Sequence, residues 1–272
     1  MGTLDFLAPP TPPHALGWKH PLPGRGALDL LPHVDTAGLT IKSEVDPRPK
    51  MPPALNQLAL GSCTANATNR GMRYDTILDG KDCGELSRLW TYYFERMLEG
   101  TLAQGDCGAE GHDAYRVARH GIPDESLYPY DISKFGERPP DIEPRAYTLT
   151  KDVHAVPQDI DQIKAALSND QTITYGFTVF NSFQYAPDGS PATWSNPAAG
   201  GSGVMPEPQP GEIVLGGHEN LLCGYLPQYP DYLLSLNSWF INWGVFGGYF
   251  LIPIRFVVGP NVSDLRTIVR PL

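Results

Sequence analysis

Helical and strand-like periodicities occupy different halves of this 272-residue chain, which restricts it to folds that segregate helices from sheet. From Ser62 onward Ala65, Thr68, Met72 and Ile77 or Leu78 recur at helical spacing, with Ser62 available as N-cap and Gly80 as a stop. Ser87 opens a second helix carrying Leu89, Trp90, Tyr93 and Met97 toward Gly100, and His112 to His120 a third that ends at Gly121. A Pro-rich link, Glu137 to Pro144, leads to a short helix over Asp159 to Leu167. Beyond it the runs QTITYGFTVF, NLLCGYL, YLLSLNSW and GGYFLIP are short, aromatic and β-branched, separated by Gly, Pro and Asp; they predict antiparallel strands. The Gly/Pro/Ser stretch Ala186 to Gly211 has neither period and reads as a long loop of the kind that carries function or mobility. The expectation is an α+β chain, with a helical lobe followed by a β lobe.

The first 53 residues differ from both halves, holding 11 of the 28 prolines without a sustained period. They read as an extended arm. A solvated leader is one account of it; an arm docked on the body is the other, favoured by the apolar anchors Phe6, Leu7, Trp18, Leu22 and Leu30.

A formal charge of -10 argues against nucleic acid or an anionic membrane as a partner. No apolar run approaches the roughly 20 residues that span a bilayer, and the opening MGTLDFLAPPTPPHALGWKH lacks the basic start and apolar stretch of a secretory signal. The compartment stays open between the cytoplasm and export by another route. Four cysteines with no CxxC pair support neither a disulfide scaffold nor a four-thiolate zinc site, and no cofactor or metal is expected. One bridge between Cys83 and Cys107 and four free thiols are both compatible with this usage.

Cys63 stands in the predicted first turn of the first helix, six residues after Gln57. A thiol attacks a carbonyl as thiolate, and a helix N-terminus or a neighbouring imidazolium is what lowers its pKa. Taken alone, Cys63 reads equally as a small apolar core residue. His218 follows a Gly pair at the mouth of a predicted strand, and Asn237-Ser238-Trp239 ends the next one. An amide carbonyl at Asn237 can hold an imidazole in one tautomer, and an indole at Trp239 can exclude water from that bond. The bland readings are a loop histidine, a turn asparagine and a core tryptophan.

In that order and spacing, Gln57, Cys63, His218 and Asn237-Ser238-Trp239 resemble the papain-like cysteine peptidases. The likeness spans most of residues 45–272 and includes Asp106-Cys107-Gly108, Tyr128-Pro129-Tyr130, and the later Trp243-Gly244 and Gly248-Tyr249. Gly17-Trp18-Lys19 with Pro23, Val45-Asp46-Pro47-Arg48 and Leu60-Gly61-Ser62-Cys63-Thr64-Ala65 resemble the bacterial branch with a short N-terminal segment. The resemblance implies a papain-like two-lobe fold, with a helical left lobe of about 45–145, an antiparallel β-barrel-like right lobe of about 146–272, and the active site in the cleft between them. It implies Cys63 as nucleophile, His218 as base and later acid, Asn237 as orienter of His218, Gln57 with the Cys63 amide as oxyanion hole, and Trp239 as shield. Gly108 and Ala109 would pair with an extended peptide substrate, and residues 1–44 would be a propeptide-like arm over the cleft of a monomeric endopeptidase.

The sequence also departs from that pattern. Leu60 stands where the family often has a cysteine, so the usual bridge to the position of Cys107 cannot form and Cys107 is free or paired with Cys83. Thr64 replaces an aromatic, Phe240 replaces a glycine, and the Trp-Gly to Gly-Tyr interval carries an extra residue. Glu219 beside His218 is read as a solvent-facing strand residue; turned inward, it would favour imidazolium and basic substrate groups. Two rival readings are a catalytically silent papain-fold binding protein and another Cys-His acyl transferase or amidase. Zinc on Cys63, Cys107 and His218 has no ligand spacing behind it.

Overall fold

The computed structural model describes residues 14–21, 31–142 and 147–269. Phe6, Leu7, Leu22 and Leu30, and the lobe boundary near 145, lie outside them.

Three helices build the first lobe: α1 (Cys63–Leu78), α2 (Arg88–Glu99) and α3 (Gly111–His120). They pack Leu89, Trp90, Tyr92, Val117 and Ile122 into a core of their own. The Ser87 hydroxyl caps α2 by accepting from the Trp90 amide, and Gly100 ends it in the left-handed region at φ 72°. Ser62 occupies the N-cap position of α1 but leaves its amides uncapped. Its hydroxyl is taken up by the Tyr130 hydroxyl at 2.5 Å and by Asn66 Nδ2 at 3.0 Å. The N-terminal dipole of α1 therefore remains directed at whatever faces Cys63.

The second lobe is an open, six-stranded antiparallel sheet in the order β1-β6-β2-β3-β4-β5, flanked by α4 (Ile160–Ser168). Its strands are β1 (Val153–Ala155), β2 (Ile173–Phe180), β3 (Val214–Gly224), β4 (Tyr232–Leu236), β5 (Tyr249–Pro253) and β6 (Val262–Ile268). Four of them coincide with the apolar runs; β3 starts earlier than its run because Gly216 and Gly217 continue the ladder opposite Val179 and Thr178. His218 consequently sits within β3, opposite Phe177, rather than at a strand mouth. Strands β1 and β6 are additional, and β6 buries Asp264, Arg266 and Thr267, so charge hid its period. The loop 186–211 is anchored by Met205, buried in the β-lobe core, and by pairing of Val204 with Leu251.

α1 packs against α2 and α3 on one side and β3 on the other, which leaves nearly all of its residues from Cys63 to Asp75 buried. The described part of the arm is docked on both lobes. His33 pairs with Ala155, Val45 with Tyr225, and Trp18 with Ala109. All four cysteines are free, so the bridge considered between Cys83 and Cys107 is absent. Cys83 Sγ lies against the Gly84 carbonyl and Cys107 Sγ against the Gly108 carbonyl, each turned into its own loop. Among the described residues, no helix is long and apolar enough to cross a membrane.

Candidate active site

The seam between α1 and β3 gathers the sequence-selected residues. Cys63, the first residue of α1, is fully buried, and the backbone amides of Glu219 and Gly17 reach its sulfur. Burial pushes the thiol well above its ordinary range, negative potential from Glu219 adds to that, and the two amides act in the opposite direction. A helix N-terminus alone does not make Cys63 a thiolate while the cleft is covered.

On β3, His218 Nε2 meets Asn237 Oδ1 at 2.8 Å. The Ser238 amide donates to the same oxygen at 2.7 Å, which identifies that atom as the carbonyl and makes Nε2 the protonated nitrogen of a neutral ring. Nδ1 is then the basic nitrogen, and it has no hydrogen-bond partner among the described residues. The Trp239 indole lies 4.8 Å from the imidazole, centroid to centroid, and Phe177 covers another edge at 5.7 Å. Desolvation lowers the His218 pKa to about 4, against a raising contribution from Asn237 and with His14 adding to the lowering.

Gln57 is equally constrained. Its Oε1 accepts from Ser238 Oγ at 2.6 Å, so its Nε2 must face the other way, where it donates to the carbonyls of Leu60 and Ala15, both at 3.0 Å. Main-chain pairing with Ser238 and Trp239 ties this segment to the end of β4. Ser238 was named in the sequence only as the middle of Asn237-Ser238-Trp239, with no role of its own, yet it orders both side-chain amides.

The arm threads between these groups. His14 stacks on Trp239 with centroids 4.2 Å apart and planes at 11°. The Gly17 and Trp18 amides donate to the Gly217 carbonyl, the Ala109 amide to the Gly17 carbonyl, and the Lys19 amide to the Ala109 carbonyl. Ala109 thus pairs with an extended segment of the chain itself, and neighbouring Gly108 donates to the Tyr92 hydroxyl at 3.0 Å. The fit is backbone against backbone, since a Cβ on Gly17 would lie 1.8 Å from the Gly61 carbonyl oxygen. Trp18, 8% exposed, lies over Gly176, where a Cβ would be 1.9 Å from the indole, and its Nε1 approaches Asp264 at 3.5 Å. Lys19 closes the run with an ion pair to Glu99 at 2.5 Å. Beside His14 an open groove of about 420 Å³ continues past Trp239, Asn56, Phe183, Tyr185 and Phe240.

The solvent-facing reading of Glu219 is overturned: its side chain is fully buried behind Cys63, in a strand covered on both faces. Among the described residues, no cluster of three or more His, Cys, Asp or Glu is arranged to hold a metal ion.

A buried thiol at the start of α1 and an imidazole on β3 clamped by an amide, with that helix packed against that strand, are the features of a thiol hydrolase of the papain type. The chain belongs to the papain family of cysteine proteases, whose family model matches residues 41–257. It is 29% identical over 230 residues to an uncharacterized peptidase C1-like protein of Acanthamoeba polyphaga mimivirus, covering 79% of this chain and 69% of the viral protein. Its fold is similar to that of xylellain, a cysteine protease from Xylella fastidiosa, with a TM-score of 0.76, 26% identity, and coverage of 97% of this chain and 99% of that one. A digestive procathepsin L2 proteinase from Tenebrio molitor larval midgut shares the fold at a TM-score of 0.66 and 18% identity, over 94% of this chain and 78% of the other.

Proposed function

We propose that this peptidase is a cysteine endopeptidase working through Cys63, His218 and Asn237, and that its N-terminal arm restrains it. The observation that carries the reading is the fixed ring of His218, with Nε2 committed to Asn237 and Nδ1 left basic beneath Trp239. Nδ1 takes the Cys63 proton and the resulting thiolate attacks the peptide carbonyl. The oxygen becomes an oxyanion held by Gln57 Nε2 and the Cys63 amide. Collapse of that adduct expels the amine, which takes its proton from His218, and leaves a thioester on Cys63. Water then attacks the thioester, giving a proton to His218, and the thiol is restored.

Ala15 supports the second half of the proposal, since its carbonyl occupies the amide that an oxyanion needs. Main-chain pairing by Ala109 supports a substrate bound mostly through its backbone, and so a protease of modest sequence demand.

The test is cleavage of a fluorogenic peptide library under reducing conditions by the full-length chain, with Cys63→Ala beside it. Turnover is expected in the former and none in the latter. Turnover that survives in Cys63→Ala would end the assignment.

A further inference from the structure

Behind Cys63 the protein buries two carboxyl groups that the steps above do not use. Glu219 follows His218 on β3, and Glu95 lies on α2; both side chains are fully buried. Glu95 Oε2 accepts from Thr64 Oγ1 at 3.1 Å, Thr64 being the residue after Cys63. Glu95 Oε1 and both oxygens of Glu219 have no hydrogen-bond partner among the described residues, and the Thr68 hydroxyl lies beside Glu219 without a bond of good geometry. The packing is tight on the Glu219 side as well. A Cβ on Gly111, at the start of α3, would lie 2.0 Å from Glu219 Oε2, so this helix begins on glycine where the carboxyl presses against it.

A carboxylate in such a place is shut off from bulk solvent and has no ion-pair partner among the described residues, and desolvation raises the pKa of each group well above the ordinary range. Each group also feels other charges. Glu99 on the same helix and Asp113 on α3 act on Glu95. Asp264 and Arg266 on β6 act on Glu219 with opposite signs and are themselves ion-paired. Tyr115 on α3 and Cys63 on α1 complete the surroundings, and Lys19 of the arm is committed to Glu99. Glu219 raises Glu95 further, because a second anion there is worse than the first. An anion at Glu219 disfavours the thiolate at Cys63, whereas the influences on His218 are burial, Asn237 and His14. A charge on Glu219 therefore bears on one member of the Cys-His pair and leaves it uncompensated.

We propose that Glu219 and Glu95 are positioning residues that stay protonated as a carboxylic acid pair behind Cys63, so that the thiolate forms as the single anion of that pocket. This rests on the reading of Cys63 as nucleophile, but its test does not need peptide turnover. The proton leaving Cys63 goes to His218 Nδ1, and the carboxyls keep theirs.

Infrared spectra of the full-length chain at neutral pH are expected to contain carbonyl stretches of un-ionised carboxylic acid, one lost in Glu219→Gln and one in Glu95→Gln. Alkylation of Cys63 by iodoacetamide, followed by mass, is expected to run at equal rates in wild type and Glu219→Gln near neutrality. At alkaline pH, where the wild-type carboxyl ionises, the variant is expected to react about tenfold faster, the equivalent of one pKa unit on the thiol. Absence of the acid bands at neutral pH overturns the proposal, as do alkylation profiles that superimpose at every pH or differ by a constant factor. Should Glu219→Gln fail to fold, Glu95→Gln gives both readouts. A chain without peptidase activity that still has these bands and profiles would refute the proposed function and leave this inference standing.

Discussion

The carbonyl oxygen of Ala15 accepts a 3.0 Å hydrogen bond from Gln57 Nε2, so the chain's own backbone occupies the donor assigned to the oxyanion. A ground-state carbonyl engages that donor weakly compared with a developing negative charge. Gln57→Ala is therefore expected to lower kcat by about 10²–10³ with a much smaller change in KM. Steady-state kinetics on a short peptide substrate check it, and an unchanged kcat would remove Gln57 from the mechanism.

Gly17 is the position at which the arm can be unseated with the smallest chemical change. A methyl group there meets the Gly61 carbonyl at 1.8 Å, whereas one at Gly136 meets nothing within 4 Å. Gly17→Ala in the full-length chain is expected to raise kcat/KM by the factor that the seated arm removes from the open population, up to about tenfold if the arm is seated about 90% of the time. Gly136→Ala should leave it unchanged. Equal rates for the wild type and both variants would refute the restraint.

His14 makes seating sensitive to acid. Burial against Trp239 lowers its pKa from the ordinary 6.5 to about 4. The seated state therefore binds fewer protons than the free arm between these values, and seating weakens as pH falls below 6.5, levelling off near 4. The loss amounts to about two orders of magnitude in the seating equilibrium. Tryptophan fluorescence of the full-length Cys63→Ala chain should follow it, and His14→Phe should flatten the dependence. A wild-type transition retained in His14→Phe would assign it to another group.

Phe183 joins the site to the β-lobe core, with Trp239, Trp243, Trp194 and Phe250 all within 6.2 Å of its ring centroid. Phe183→Ala is expected to cost about 3–5 kcal/mol in stability, measured by urea denaturation. A cost below 1 kcal/mol would mean that the cluster closes over the gap.

The helices and four strands were legible because their apolar residues repeat at the period of the element, and Ser87, Gly100, Gly121 and Asp159 mark ends by local chemistry. Strand β6 was not, since it buries an Asp264–Arg266 ion pair that a hydrophobic pattern reads as surface. Glu219 was misread for the same reason: a charged residue next to a polar loop looks exposed until the helices that cover it are in place. Cys63, His218, Asn237 and Gln57 were singled out by their order in the chain; Ser238 was quoted only as part of Asn237-Ser238-Trp239, and its hold on both Gln57 and Asn237 emerges only once the fold brings Gln57 to the end of β4. Trp18 was visible as an apolar anchor; its slot over Gly176 exists only after two strands pair.

The arm reaches the cleft as part of the same polypeptide, and Val45, further along, is already paired with Tyr225 on the body. A tethered occupant is present at an effective concentration of about millimolar whatever the protein concentration, so dilution cannot release it. One cut between Trp18 and Val45 turns that local concentration into the far smaller bulk one. The stretch from His14 to Trp18 that lies in the cleft while attached would then diffuse away as a weak peptide, and the change would not reverse on its own.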